Sequence, residues 1–493
     1  MILDGRSLTP AGVATVAREG RHVHLDEAAW NRNRAAADAL AALLEQGTPV
    51  YGVTTGVGAL RSREVPPSER QDNQLRLLRS HACGAGRPVP AERVRAAMVV
   101  RANQLGAGGA GVSDELLGAL VAALDAGFTP FVRELGSLGT GDLTALADIG
   151  LALLGEGRAW LGGEPVAAKQ ALDESGLAAP RLGLRDGIAF MSSNAASIGH
   201  AALVAVDADR LLAASLQVAA LSFMAAGADP SVLDPRVHAA RGHPGQIAVA
   251  ERMTELLAPA AVARDRDAIH DPYPFRGLAQ VEGAGLDALT ALEAVLAVEL
   301  NAAAENALVD PGPPPAVLPT ANFHAGALAL ALDRLRAALA QSSSLVAARV
   351  TALLDPGLMG LKAALAERPG RDSGAMILEY TAHAAAADVR LRAAPVTAQT
   401  ATVGGGLESH ASFAPLAARA AQEALESAAV TVATELVVAV RALRIRGLAP
   451  AGGDAGDLFA AAAQRLDDHL GDRALSDDVE AARALLVDDR RGA

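Results

Sequence analysis

The sequence predicts a mainly α-helical fold, and three observations carry that expectation. Of the 493 residues, 51% are apolar but only 3% are aromatic. Alanine recurs in nearly every segment, so a core must be filled by Leu, Val and Ala on closely packed elements, which favours helices. Leu289, Leu292, Leu296 and Leu300 recur at steps of three and four, the spacing of one helical stripe. Strand signals, the third point, are few.

Taken in chain order, "TPVYGVTTGVG" (48–58) is the best strand candidate, being β-branched and bounded by glycine. "RAWLGGEPVAA" (158–168) reads as a small hairpin. The most apolar run, from Ala201 to Gly227, carries Asp207, Asp209 and Arg210. Three charges are too costly in a membrane span, so it reads as a buried helix of a soluble protein. Long helices are expected over 286–308, 325–354 and 413–443, with Pro415 in a first helical turn. Irregular stretches fall at 311–319, 367–374 and 402–410, and at "GSLGTGDLTAL" (136–146). The polar tail from Asp467 onward looks weakly packed. The natural division is an N-terminal part, 1–200, followed by the long-helix part, 201–493.

The formal net charge of −13 argues against nucleic-acid or anionic-membrane partners, because such binding needs clustered Lys and Arg. The single cysteine, Cys83, cannot close an intrachain disulfide, and the first twenty residues lack the apolar run of a signal peptide. A cytoplasmic protein is the expectation.

Several short motifs place a titratable or cationic residue between glycines or prolines: "YGVTTGVG" (51–58), "SHACGAG" (80–86), "GSLGTGD" (136–142), "HDPYPFR" (270–276), "ANFHAG" (321–326) and "GGLESHAS" (405–412). Each alone has an ordinary reading. Tyr51 could be a packed edge residue or a base, Arg276 after Asp271 a capping ion pair or an anion anchor, and Glu408 a cap for the helix beginning near Ser412 or a site carboxylate. His81 lies beside Ser80 and Cys83, but the rest of a zinc set is missing and no metal is expected.

In this order and at this spacing, from "VYGVTTGVG" to "RALRIRGL" at 441–448, the chain resembles the histidine and aromatic amino-acid ammonia-lyase family over nearly its whole length. Supporting stretches are "DPYPFRGLAQVEG", "ENALVDP", "NFHAG", "DPGLMGL" and "DSGAMILEYTA". The resemblance implies a long central helical bundle of the ammonia-lyase type with a smaller N-terminal part. It also implies a homotetramer whose active sites are shared between subunits.

In that family an Ala-Ser-Gly triad followed by Asp cyclises and loses two waters to give an electrophile, methylidene-imidazolone. The corresponding residues are Gly139, Thr140, Gly141 and Asp142, so serine is missing. Closure needs only the Gly139 carbonyl and the Gly141 nitrogen. A dehydrated threonine, however, would put an extra methyl on the carbon that an incoming amine must attack. A cyclised Thr140 and an unreacted turn hydroxyl therefore both stand open, and no external cofactor is expected.

The resemblance makes Tyr51 the base, Arg276 the anchor for a substrate carboxylate, and Tyr273 and Phe323 site-lining aromatics. His81 and Glu408 fall where histidine-specific members contact the substrate side chain, which points to a polar side chain. Two positions depart from the family. A substrate-binding asparagine is Ser192 by ungapped alignment, with Asn194 two residues on, and a glutamine before "DPY" is His270. The expectation is an ammonia-lyase or aminomutase acting on a small amino acid. Its alternatives are an enzyme without the electrophile that runs a different elimination, isomerisation or cyclisation, and a non-catalytic binding protein.

Overall fold

A computed structural model of the chain describes residues 1–260 and 269–487. Helices dominate, and the strands are short and confined to small two- and three-stranded sheets. The expected long helices are present as Ala195–Ala226, Leu278–Glu299, Gly326–Leu354 and Ala414–Ile445, except that the helix expected over 286–308 starts earlier, at Leu278, and stops at Glu299, so that 300–307 is not helical and Leu308 opens a strand. The four stripe leucines are buried. The chain forms two compact units, each assembled from three segments.

The first unit comprises Met1–Val206, Leu292–Leu332 and Pro395–Arg419. At its centre the Ala91–Ala107 helix is buried along nearly its whole length, including Arg95, Arg101, Asn103 and Gln104. The Arg101 guanidinium is fully buried and holds the Glu305 carboxylate in a two-point pair at 2.9 and 3.1 Å, while its Nε donates to the Phe190 carbonyl at 3.0 Å. Gln104 Oε1 accepts from Ser193 Oγ at 2.6 Å. One buried polar network thus fixes the Glu305 and Phe190–Ser193 segments to the same helix, with each donor matched, as burial demands.

The 158–168 hairpin is present, Arg158–Leu161 pairing antiparallel with Glu164–Ala167 and extended by Thr129–Pro130. Part of the proline-rich 311–319 stretch, expected as loop, is a strand: Ala316–Leu318 pairs with Leu308–Asp310. The 48–58 strand is absent. That segment is a turn in which Val53 and Thr54 amides donate to the Val50 carbonyl at 3.1 and 2.9 Å, and the Thr54 hydroxyl accepts from the Val50 amide at 2.8 Å. Gly52 has φ +71°, and a Cβ there would lie 2.8 Å from Ile188. The β-branched residues fit a strand, but the local hydroxyl bonds and the close approach to Ile188 override that preference.

The second unit comprises Asp207–Ala291, Asp333–Ala394 and Ala420–Ala493. Its long helices are joined by a buried polar seam. Arg349 holds Glu435 at 2.8 and 3.0 Å, Ser222 donates to Glu435 at 2.7 Å, and Ser342 donates to Glu282 at 2.7 Å. The tail is better packed than its composition suggests. Ser476–Val487 is a helix that buries Val479, Ala482, Leu485 and Leu486, and Asp478 accepts from Arg473 and from the Asp467 amide. The closing residues, 488–493, lie outside the described part.

Candidate functional site

Three helices of the first unit, Arg70–His81, Leu143–Leu153 and Asp186–Met191, pack against one another. The first ends in His81. The second begins immediately after Gly139–Thr140–Gly141–Asp142, and the third leads into Ser192, Ser193 and Asn194. The antiparallel pairing of Ala85–Pro88 with Arg133–Leu135 feeds the chain into the glycine turn. Gln74 joins the Tyr51 turn to this frame: its Nε2 donates to the Gly52 carbonyl at 2.9 Å and its Oε1 accepts from the Ile188 amide at 3.1 Å.

At the turn, Gly139 has φ +82° and Gly141 φ +96°, values that only glycine adopts without strain. Three backbone groups flanking Thr140 are held by hydrogen bonds. The Gly139 carbonyl accepts from Ser412 Oγ at 2.8 Å, the Gly141 amide donates to Asn194 Oδ1 at 3.1 Å, and the Asp142 amide donates to the Ser193 carbonyl at 2.7 Å. Thr140 bridges in strand fashion to His324, and its hydroxyl donates to Glu408 Oε2 at 3.0 Å. Glu408 therefore meets the hydroxyl of residue 140, whereas the capping alternative would have turned it to the amides that open the Ala414–Ile445 helix.

Asp142 is buried and starts the Leu143–Leu153 helix. Burial pushes its carboxyl up to about 6, against the opposing effect of the Ser197 amide and hydroxyl, which donate to it at 2.6 and 3.0 Å. Two helix N-termini, those of Leu143–Leu153 and Ala195–Ala226, thus converge on the turn and favour negative charge there.

The remaining sequence candidates fall in two groups. In the first unit, Tyr51 is half-buried and its hydroxyl accepts from the Gly58 amide at 2.8 Å. His81 donates through Nδ1 to the Leu77 carbonyl at 2.8 Å, since a carbonyl can only accept. Ser192 turns its hydroxyl back to Ile188 O at 2.8 Å, with Asn306 O at 3.3 Å, and does not bond the glycine turn. Asn194 does so and also donates to the Phe323 carbonyl. In the second unit, His270 is exposed, Tyr273 is 60% exposed, and Arg276 is exposed with its guanidinium over the Tyr273 ring at 5.6 Å. Among the described residues no cluster of three His, Cys, Asp or Glu is placed to hold a metal ion.

Sequence reasoning passed over Ser412, His324 and His410. The last two form a ring pair, His324 Nε2 to His410 Nδ1 at 2.9 Å. The available signal was their position inside motifs already singled out, "ANFHAG" and "GGLESHAS".

The arrangement offers a polarised backbone carbonyl, a carboxylate on a hydroxyl, and a half-buried phenol in one unit. A cation beside an aromatic ring lies on the surface of the other. The family model for aromatic amino acid lyases matches residues 8–465. Histidine ammonia-lyase from Symbiobacterium thermophilum is 36% identical over 488 residues, covering 98% of this chain and 96% of that one. Among solved structures, the ergothioneine-degrading enzyme ergothionase from Treponema denticola, in complex with desmethyl-ergothioneine sulfonic acid, superposes with a TM-score of 0.92 at 28% identity, covering 99% and 98% of the two chains. Phenylalanine aminomutase from Pantoea agglomerans superposes with a TM-score of 0.94 at 26% identity, covering 99% of each.

Proposed function

The chain belongs to the aromatic amino acid lyase family, and from that premise we propose that it is a carbon–nitrogen lyase that eliminates an amine from a small amino acid with an imidazole-type side chain. The observation that carries this reading is the Glu408 carboxylate on the Thr140 hydroxyl at 3.0 Å. A carboxylate at the reaction centre suits a polar or cationic side chain and would be left unpaired by a phenyl ring. Likeness to histidine ammonia-lyase and to an ergothioneine-degrading enzyme supports the same substrate class.

The residues then divide the work. Arg276, contributed by a neighbouring subunit of a homotetramer, holds the substrate carboxylate through a two-point charge-assisted pair, with Tyr273 beside it. His81, Glu408 and Phe323 receive the side chain, with Ser192 and His270 at the margins. Tyr51 takes the β-proton. The C–H electron pair becomes the Cα–Cβ double bond as the Cα–N bond breaks, and the amine leaves with the bonding pair to give an α,β-unsaturated acid. A cytoplasmic setting and a free amino-acid substrate fit this chemistry.

The glycine turn suits ring closure: Ser412 polarises the Gly139 carbonyl, and the Gly141 nitrogen is held by Asn194. When formed, a ring from Gly139, Thr140 and Gly141 would supply an electrophile that activates a poor amine leaving group. A second reading is favoured by Glu408 engaging the very hydroxyl that dehydration after closure must expel. In it Thr140 stays intact and the enzyme eliminates a fully alkylated, permanently charged amine, which needs no such activation.

Intact mass of the purified chain separates the two readings, because closure removes two waters. The function itself is tested by the ultraviolet absorbance of an unsaturated acid, formed from histidine or its N-alkylated counterpart. Turnover of neither, by the protein or by Thr140→Ser, would overturn the proposal.

A further inference from the structure

The loop carrying Glu408 has little of its own to hold it. Gly404, Gly405 and Gly406 run consecutively at φ +61°, +68° and +90°, and 402–407 is exposed throughout. Past this run the loop is held by its internal Val403–Glu408 bridge, by the Ala411 amide on Thr400 Oγ1 at 3.0 Å and, at its far end, by Ser412 on the Gly139 carbonyl and the Phe413 amide on the Leu138 carbonyl at 2.8 Å. One hydrogen bond to Thr140 does not by itself outweigh the freedom of a glycine-rich loop and a long Glu side chain.

The segment opposite is tied to the glycine turn and to Asn194. The Phe323 carbonyl accepts from Asn194, His324 bridges Thr140, and the Ala325 amide donates to the Gly139 carbonyl at 3.4 Å. Onto this segment His410 docks, with its Nδ1 2.9 Å from His324 Nε2 and the ring centroids 5.0 Å apart. Two imidazole nitrogens at that separation share one hydrogen, one ring donating and the other accepting. The two residues are 86 positions apart in the chain, so the contact ties two segments that the backbone does not.

We propose that His324 and His410 form a one-hydrogen clasp that seats the Glu408 carboxylate at Thr140 and so sets recognition of the substrate side chain. Both are positioning residues. The inference rests on Glu408 meeting that side chain, as argued above. The clasp sits two residues from Glu408 and two from Ser412, so opening it leaves 408–410 without a side-chain anchor other than the Thr140 bond before the Ala411 amide meets Thr400. The oxygen or nitrogen of an asparagine amide can take the place of a histidine Nδ1, which makes His410→Asn the conservative replacement and His410→Phe the disruptive one.

The test is steady-state kinetics of His410→Phe, His324→Phe, their double variant and His410→Asn with an imidazole-bearing amino acid, alongside crystal structures of the two His410 variants. Each Phe variant should raise KM about tenfold or more with a smaller fall in kcat. The double variant should be no worse than either single one, because both remove the same contact. His410→Asn should restore KM to within a few-fold of the parent, and in the His410→Phe crystal Glu408 should have left Thr140. Glu408 still bonded to Thr140 in that crystal, or additive losses in the double variant, would overturn the clasp. If the parent protein turns over no imidazole amino acid, the functional reading fails and the crystal comparison alone decides the clasp.

Discussion

At the scale of single residues, the glycine turn and the aspartate behind it are the points most sensitive to change. A Cβ added at Gly139 would lie 2.1 Å from Ser412 Oγ at a φ of +82°. Gly139→Ala should therefore cost about 1–3 kcal/mol from the backbone conformation alone, with the Ser412 contact adding to it. Urea unfolding of Gly139→Ala and of Gly139→Ala/Ser412→Ala checks this: the second change should recover only part of the loss. Asp142 makes a pH prediction. Its carboxyl is pushed up to about 6 from the usual 3.8, so between those values the folded chain holds a proton that the unfolded chain has lost. Stability contributed by Asp142 is then present at the acid end, falls as pH rises from about 4 to about 6, and is level above that, a total of about 3 kcal/mol. Burial pushes Asp148 up to about 6 as well, with Arg133 opposing it, so part of the slope belongs to that group. Asp142→Asn should flatten the fall in urea-unfolding free energy between pH 4.5 and pH 7 by about one proton's worth. An unchanged slope would show that Asp142 titrates normally.

At the scale of elements, the long helices are too rich in alanine to be held together by large interlocking side chains, and buried polar groups define their register instead. Arg349 and Glu435, both fully buried, join Gly326–Leu354 to Ala414–Ile445, and Ser222 adds the Ala195–Ala226 helix to the same carboxylate. Burial pushes the Glu282 carboxyl up, while Arg349 works in the opposite direction. Removing the guanidinium would leave Glu435 buried without its cation. Arg349→Met should thus lose about 3–5 kcal/mol, while Arg349→Met/Glu435→Leu should lose less, because an apolar pair leaves no stranded charge. Thermal unfolding of both variants reads the difference, and equal losses would mean that the seam is held by packing alone.

At the scale of the whole molecule, the proposed site is divided. Tyr51, Thr140 and Glu408 belong to one unit, while Tyr273 and Arg276 lie exposed on the other. A homotetramer that brings Arg276 of one subunit to Tyr51 of another would account for an exposed cation over an exposed ring. Apolar area buried between subunits, at roughly 25 cal/mol per Å², would stabilise such an assembly. Co-expression of Arg276→Ala chains with Tyr51→Phe chains should then yield mixed assemblies with activity that neither variant has alone. Light scattering should show no stable monomer. A mixture no more active than its parents would confine each site to a single chain.

The sequence by itself determined the fold class and the order of the motifs. Helical periodicity is local, being written in steps of three and four, and the leucine stripe, the three long helices and the 158–168 hairpin were all legible from it. The glycine turn was legible too, because glycines on either side of Thr140 allow the left-handed backbone that a tight turn needs. Only the tertiary structure decided that 48–58 turns instead of extending, because Ile188 presses on Gly52 from a segment more than a hundred residues away. It alone showed that Asn194 and not Ser192 reaches the Gly141 amide, that Ser412 meets the Gly139 carbonyl, and that His324, bridged to Thr140, pairs with His410. The physical reason is common to all of these: periodicity and turn chemistry act between neighbours, whereas a hydrogen bond across the fold depends on where separate segments end, which no local pattern records.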